Sequence, residues 1–197
     1  MAIRKYFATP IYESELDDPA LLADLAHSIR TFAVDDMAGK RWSREHDYPG
    51  YTSYASLNDL PQRDPAFADL ARRLTRHAAG FAKALGWDVR PKLDSLWANL
   101  LKSGGSHSGH IHPHSILSGT FYVEAPPGSG VIRFEDPRLG LMMAAPTRRA
   151  DAEEDQRNFV SIDPRPGLVL LWESWLRHEV RPARHKSERL SVSVNFR

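Results

Sequence analysis

The stretch RLSVSVNF at residues 189–196 alternates strictly between polar and apolar side chains. Successive side chains of an extended chain point to opposite sides, so the apolar residues share one face and the polar residues share the other. The apolar face predicts a strand that packs on helices or on an opposing sheet. The polar face includes Arg189, and it either meets solvent or lines a ligand cavity inside a small barrel.

Strand-like runs of similar length precede this stretch and are separated by Gly and Pro. They are LDSLWANLL (93–101), SGTFYVEA (118–125), GVIRFED (130–136) and GLVLLWES (167–174). Several strands of modest length with turn signals between them are typical of a sandwich, a barrel or a jelly roll. The pattern therefore predicts a mainly β fold and leaves these architectures open.

Two amphipathic helices are predicted before these strands. The first spans roughly residues 19–32, where apolar residues recur at helical spacing. The second begins at Asp64 and Pro65, which give an N-cap and a first-turn proline, and it ends before Gly86. These helices are expected to support the β-sheets.

The composition fits one globular domain over residues 1–197, with 42% hydrophobic and 26% charged residues. We expect residues 1–88 to form a helical and extended support, and residues 89–197 to form the jelly-roll or barrel core that carries the functional site. A formal net charge of +1 gives no reason to expect a nucleic-acid or membrane partner. The absence of a long apolar run makes the cytoplasm the expected location.

Four of the nine histidines are crowded into HSGHIHPHSILSG, which begins at His107. On an extended strand His110, His112 and His114 face one side. His107 has the opposite parity and is expected to point away. Two imidazoles on one strand face can hold one ion, and a further ligand must then come from another strand. Pro113 cannot donate to a sheet ladder, which favours the end or edge of a strand, where a substrate can reach the metal.

His178, in ESWLRHEV, is the natural distal ligand, because it follows a buried strand-like run. The chain contains no cysteine, so a metal must take nitrogen and oxygen ligands, which favours iron or manganese. An isolated His-x-His pair is a weak signal. The combination of that pair, a distal histidine and then Arg-x-Ser on a strand indicates a metal site more strongly.

With these motifs the chain resembles the 2-oxoglutarate and Fe(II)-dependent oxygenases, and within them a mainly bacterial and phage branch. The similarity runs through most of the chain in order: FATPIY, SLWANLL, HIHPHSILSGTFYV, GSGVIRFEDPR, PGLVLLWESWLRHEV and ERLSVSVNF. The resemblance implies a double-stranded β-helix, which is a cupin-like jelly-roll barrel, with supporting helices. It also implies hydroxylation of a substrate, with succinate and CO₂ as co-products of 2-oxoglutarate.

The resemblance implies roles for particular residues. His110 matches the first iron ligand of the family, and His178 matches the distal one. Arg189 and Ser191 match the residues that hold the far carboxylate of 2-oxoglutarate. The chemistry is suitable, because an arginine offers a planar, permanently charged fork to a carboxylate.

His112 departs from the family pattern, which has an aspartate or glutamate at this position. Either the site uses three histidines, or His112 lies nearby and water or another acid completes the site. Glu124, Glu135 and Asp136 are the acids that could approach from neighbouring strands. We favour the three-histidine site. Its net charge, with the metal bound, is one unit more positive than that of a site with a carboxylate ligand.

Weaker candidates surround these residues. Tyr122 is interpreted as a cosubstrate contact or a buried tyrosine with a bonded hydroxyl, and Asn99 as a residue that lines the cavity. His114 is interpreted as a solvent-facing residue or one that supports the ligands. The charged segment 141–166 is long for a loop, and its length suggests a lid over the opening.

Two other functions remain open at this point. One is a cupin-like, three-histidine metal enzyme without 2-oxoglutarate, in which Arg189 binds an acidic substrate directly. The other is a barrel without catalytic activity that binds a metal and a small acid. The substrate, either a small molecule or a peptide, is not defined by the sequence. A homodimer would form through the helices or the N-terminal strand, because a closed barrel leaves few free edges.

Overall fold

Two antiparallel sheets form the centre of the computed structural model, which describes residues 2–182 and 187–197. The described helices are α1 (Pro19–Asp35), α2 (Met37–Glu45), α3 (Leu60–Arg63) and α4 (Pro65–Ala84). The described strands are β1 (Ile11–Glu15), β2 (Gly50–Thr52), β3 (Leu93–Leu101), β4 (His107–His110), β5 (Leu117–Glu124), β6 (Ile132–Glu135), β7 (Phe159–Ile162), β8 (Leu168–Glu173), β9 (His178–Val180) and β10 (Arg189–Phe196). Short 3₁₀ turns lie at Leu139–Leu141 and Glu154–Gln156.

The six-stranded major sheet has the order β1-β8-β5-β10-β3-β2, and the four-stranded minor sheet has the order β4-β9-β6-β7. The prediction of a mainly β fold with supporting helices is therefore confirmed. The N-terminal region also supplies β1 and β2, the two outer strands of the major sheet, in addition to its helices. None of the described helices is long and apolar enough to cross a membrane.

Strand β10 occupies a central place in the major sheet, between β5 and β3. Its apolar residues lie in the same buried cluster as residues of α1 and α4, so this face packs on the helices. Its polar residues, from Arg189 to Asn195, line a cavity on the other face of the sheet. The structure thus decides both questions that the alternation of RLSVSVNF raises.

The long helix α4 has the start and stop that its sequence predicts. A side-chain oxygen of Asp64 accepts hydrogen bonds from the backbone N–H groups of Ala66 and Phe67, at 2.8 and 3.2 Å. Gly86, just beyond the helix, has a φ of +72°, a conformation that glycine adopts at little cost. The other carboxylate oxygen of Asp64 accepts a 2.6 Å bond from Ser28 Oγ, so the same residue also ties α1 to α4.

Asp64→Ala is expected to lower the free energy of unfolding by about 1–2 kcal/mol, because it removes the helix cap and the bond to Ser28. Urea denaturation followed by circular dichroism measures the change. The exposed Asp24→Ala on α1 is the matched control, and it is expected to change the stability by less than about 0.5 kcal/mol. Equal effects of the two substitutions would contradict the capping role.

Candidate metal and cosubstrate site

Strands β4 and β9 lie side by side and place two histidines opposite each other. His107 pairs with Val180 and His110 pairs with His178, so β4 has one more residue than β9 between the two pairs. Such a bulge reverses the side-chain alternation of the strand beyond it. His107 and His110 therefore both line the cavity, and the expectation that His107 points away from it is wrong.

His112 lies beyond the end of β4, where the chain leaves the edge of the minor sheet. Its backbone N–H donates to the carbonyl of Ser174 at 3.0 Å, and this bond fixes the loop against the segment before β9. Pro113 follows, and His114 adopts a φ of +71° and is exposed. The loop therefore directs His112 into the cavity and leaves His114 at the surface.

The side chains of His110, His112 and His178 meet in one cluster. Each offers a ring nitrogen, and these atoms all lie within 4.8 Å of one another. Nε2 of His112 is 3.3 Å from Nε2 of His178, and these two rings are nearly parallel, with centroids 5.2 Å apart. The His110 ring is 4.4 Å from that of His178, measured between centroids. Three nitrogen donors at such spacing can bind one metal ion.

Backbone carbonyls orient two of these imidazoles. His110 Nδ1 lies 2.7 Å from the carbonyl oxygen of Ser108, and His178 Nδ1 lies 3.0 Å from that of Leu176. A carbonyl can only accept, so Nδ1 carries the proton and donates it in both rings. The lone pair of Nε2 then faces the cluster, which is the state that a metal requires.

Burial keeps two imidazoles of this cluster, those of His112 and His178, uncharged. It lowers the pKa of His178 to about 3 and the pKa of His112 to about 4. In both cases the loss of hydration is the largest cause, and the neighbouring histidines add to it. At neutral pH these two rings are therefore neutral and need not lose a proton before they bind a metal.

The acids named as alternative ligands pair with arginines instead. Each of the three lies beside an arginine: Glu124 pairs with Arg30, Glu135 with Arg177 and Asp136 with Arg138. Within the described part of the chain, the cluster of potential metal ligands contains the three histidines and no carboxylate. The geometry therefore agrees with the three-histidine site that we favoured from the sequence.

The histidine cluster lies in a cavity of about 320 Å³ that also contains Arg189. Arg189 is only 2% exposed, and its Nη1 donates to the carbonyl of Gly130 at 3.0 Å. Its Nε is buried without a hydrogen-bond partner, and no carboxylate of the described residues forms an ion pair with it. A buried charge without a counter-charge is costly, so the cavity is suited to an anionic ligand.

Ser191 and Tyr122 line the same cavity, and both are buried. The Arg189 guanidinium lies 5.7 Å from the centroid of the Tyr122 ring, which limits where the arginine can move. These residues are placed where the sequence predicts them, on the polar faces of β10 and β5. Their contact with a cosubstrate stays a prediction.

Asn99 has a different place from the one that we predicted. It does not belong to the cavity lining. Its Oδ1 accepts from Thr52 Oγ1 at 2.9 Å and from the Tyr48 hydroxyl at 3.3 Å, and its Nδ2 donates to Ser193 Oγ at 3.0 Å. These bonds use both ends of the Asn99 amide. Asn99 therefore holds the cavity residues Tyr48 and Ser193 in place without lining the cavity itself.

His107 and Tyr48 are among the cavity residues that the sequence reasoning missed. His107 Nε2 lies 3.0 Å from the Tyr48 hydroxyl. Burial is the main cause that lowers the pKa of His107 to about 3, and the positive charge of Arg189 also contributes. The His107–Tyr48 pair therefore lies near the guanidinium of Arg189. Neither residue gives a recognisable signal, since the bulge in β4 is not readable from the local sequence and Tyr48 lies in a short loop before β2.

The charged segment 141–166 does not lie where a lid would be needed. Its turn at residues 154–157 lies beside the N-terminal segment, where Lys5 forms an ion pair with Asp155. None of its described residues lines the cavity that holds the histidines. The residues at the mouth come instead from the loops around Tyr54 and Ile111.

A jelly roll that brings a cluster of metal-binding side chains and one buried arginine into the same cavity is typical of the 2-oxoglutarate and Fe(II)-dependent oxygenases, and here His112 occupies the position where the family pattern has an acid. The family described as "Putative 2OG-Fe(II) oxygenase" matches residues 95–195, and the chain belongs to this family. Fe(II) and 2-oxoglutarate are accordingly its metal and its cosubstrate. A comparison with curated proteins gave no match.

Solved structures share this fold. A Pseudomonas putida prolyl-4-hydroxylase is 16% identical, with 96% of this chain and 92% of that chain covered and a TM-score of 0.64. EctD from S. alaskensis, with 2-oxoglutarate and 5-hydroxyectoine, is 14% identical over 95% of this chain and 72% of that chain, with a TM-score of 0.67. HygX from Streptomyces hygroscopicus, with iron bound, is 14% identical over 95% and 82%, with a TM-score of 0.58. These likenesses show the double-stranded β-helix fold.

Proposed function

We propose that His110, His112 and His178 hold Fe(II) through Nε2, and that Arg189 and Ser191 bind the far carboxylate of 2-oxoglutarate. The observation that carries the proposal is that the three imidazoles and the unpaired buried guanidinium share one cavity. When bound, the iron and its cosubstrate would supply an oxidation by O₂, in which one oxygen atom goes to the substrate as a hydroxyl and the other to succinate, with release of CO₂. The protein binds and orients them and keeps bulk water out.

The inner face of the major sheet provides neutral polar groups along the cavity. Thr120, Ser191 and Ser193 line the same cavity as Arg189 and the histidines, and all three can donate or accept a hydrogen bond. Ser193 Oγ accepts a hydrogen bond from Asn99 Nδ2, so the hydroxyl proton of Ser193 is free to donate to another acceptor. These hydroxyls are suited to hold a flexible dicarboxylate in one extended conformation.

The experiment that tests this function separates it from the two alternatives. The metal-free protein is loaded with Fe(II) without oxygen, 2-oxoglutarate is added, and the visible metal-to-ligand charge-transfer absorption is recorded. Air is then admitted and succinate is assayed. We expect both the absorption band and succinate. Bound iron with neither signal would contradict the proposal and would favour a cupin-like enzyme or a binding protein without 2-oxoglutarate.

His112→Asp is expected to strengthen the retention of Fe(II) about tenfold, because it adds one negative charge at the cation and restores the ligand type usual in the family. Metal content after dialysis against a graded series of chelator concentrations measures the effect. His112→Asn, which has a similar size and no charge, is the matched control and is expected to weaken retention. If the aspartate variant retained iron no better than the asparagine variant, His112 would not be a ligand.

The proposal extends to location and assembly. Fe(II) and 2-oxoglutarate are both available in the cytoplasm, and this supports a cytoplasmic enzyme that acts on a small molecule or a peptide. The outer strands β1 and β2 of the major sheet each leave one edge without a partner strand in the described chain. Such edges are the natural surface for a homodimer.

A further inference from the structure

The mouth of the cavity is built from uncharged rings and apolar side chains. Tyr54 and Ile111 line the cavity and are 58% and 45% exposed, so they mark its opening to solvent. Pro113 lies beside them, and Trp97 lies deeper, at 9% exposure. A substrate that enters at this opening contacts these residues.

The rings at the mouth support one another. The Trp97 and Tyr54 rings meet edge to face, with centroids 5.2 Å apart and an angle of 70° between the planes. Trp97 also lies 6.1 Å from the ring of His112. On its other side Tyr54 contacts Trp42 at 5.8 Å, and Trp42 stacks on His46 at 4.1 Å. Rings held in this way form a fixed wall that leads from the surface to the proposed metal ligands.

The charges in the cavity select against a cation. Apart from the histidines, Arg189 is the one ionisable lining residue with a permanent charge in the described part of the chain, and no acid lines the cavity. Fe(II) and Arg189 carry three positive charges against the two negative charges of 2-oxoglutarate. A cationic substrate would therefore be repelled, and an anionic one would lose its hydration in an apolar mouth.

We infer that the substrate presents an uncharged, planar ring, which packs against Trp97 and Tyr54 beside His112. The inference rests on the proposed function for the position of the metal. Aromatic walls favour rings, because offset-stacked and edge-to-face contacts add to the gain from burial. At about 320 Å³ the cavity is near the lower limit of ligand pockets, so with the cosubstrate inside it admits one small ring.

Three fluorinated compounds of similar size and different charge test the inference: neutral 4-fluorobenzamide, cationic 4-fluorobenzylamine and anionic 4-fluorobenzoate. Each is titrated into the protein loaded with Mn(II) and 2-oxoglutarate, and ¹⁹F NMR records the line broadening that Mn(II) causes in a nearby ring. We expect broadening with the neutral compound, and binding about tenfold weaker or more for the two charged compounds. This readout does not depend on turnover.

Variants locate the ring. Trp97→Leu and Tyr54→Leu are expected to weaken binding of 4-fluorobenzamide about tenfold each. Tyr54 is largely exposed, so its variant is expected to fold even if that of Trp97 does not. Trp175→Leu is the matched control, because Trp175 is 47% exposed and does not line the cavity. It is expected to leave binding unchanged.

The inference would be overturned by binding of a charged compound as tight as that of the neutral one, or by no broadening with any of the three. Binding that is equally strong in the Trp97 and Tyr54 variants would also overturn it. The charge-transfer band of the Fe(II) protein tests the proposed function separately. If the band appears and the neutral ring does not bind, only the substrate class is wrong. If the ring binds and the band is absent, the cosubstrate assignment fails.

Discussion

Arg189→Met is expected to abolish the charge-transfer band at ordinary concentrations of 2-oxoglutarate while Fe(II) stays bound. Methionine keeps an unbranched apolar stem and removes the guanidinium. Loss of one partner from a buried charge pair costs about 2–5 kcal/mol, so the affinity for the cosubstrate should fall about 30-fold or more. Titration of 2-oxoglutarate without oxygen, followed by the band, measures this loss.

The same substitution should not destabilise the protein without cosubstrate. Arg189 is buried, its Nε has no partner, and no described carboxylate balances its charge. Replacement of an unbalanced buried charge by an apolar side chain is often neutral or stabilising. Thermal unfolding of the protein without ligands therefore distinguishes a ligand-binding arginine from a structural one.

Two further variants sharpen the result. Arg189→Lys keeps the charge and loses the planar fork, so we expect an intermediate affinity for 2-oxoglutarate. Arg165→Met is the matched control, since Arg165 is exposed, pairs with Glu13 and lies outside the cavity. An unchanged band in Arg189→Met, or the same loss in Arg165→Met, would show that the clamp is assigned to the wrong residue.

The parts of the fold that follow from local sequence patterns are those that the sequence predicts. The alternation of β10 and the capping residues of α4 act over short distances, and the structure has both elements at the predicted positions. The three-residue strand β2 escapes prediction, because so short an element gives little periodicity and β2 exists through its pairing with the distant β3. Helix α2 is also missed, although Asp36 caps its first turn by accepting from the backbone N–H of Gly39.

The candidate site divides in the same way. The spacing of His110 and His112, and the order of His178 and Arg189 after them, are visible in the sequence. The bulge that turns His107 into the cavity arises from the pairing of β4 with β9, and no local motif encodes it. Asn99 has the expected strand position, but it bonds to Tyr48 from a distant loop, and Tyr48 lines the cavity where Asn99 does not. The alternation of side chains along a strand predicts which face of the sheet a residue occupies. Tertiary packing decides which other residues cover that face.

His178→Ala is expected to reduce the iron content from one ion for each chain to less than about a tenth of that value, because the variant leaves two imidazoles to hold the ion. His178 is central to the cluster, since its Nε2 is 3.3 Å from that of His112 and its ring lies 4.4 Å from that of His110. Metal analysis after gel filtration measures the content. Circular dichroism checks that the fold is intact.

Two other histidines of the same region serve as controls for His178→Ala. His114 is exposed with a φ of +71°, and His114→Asn suits this backbone because asparagine tolerates the left-handed region. It should retain a full complement of iron. His107→Ala should also retain iron, because His107 bonds to Tyr48 and does not belong to the ligand cluster. Loss of iron in His107→Ala but not in His178→Ala would move the metal towards Arg189 and would contradict the ligand set proposed above.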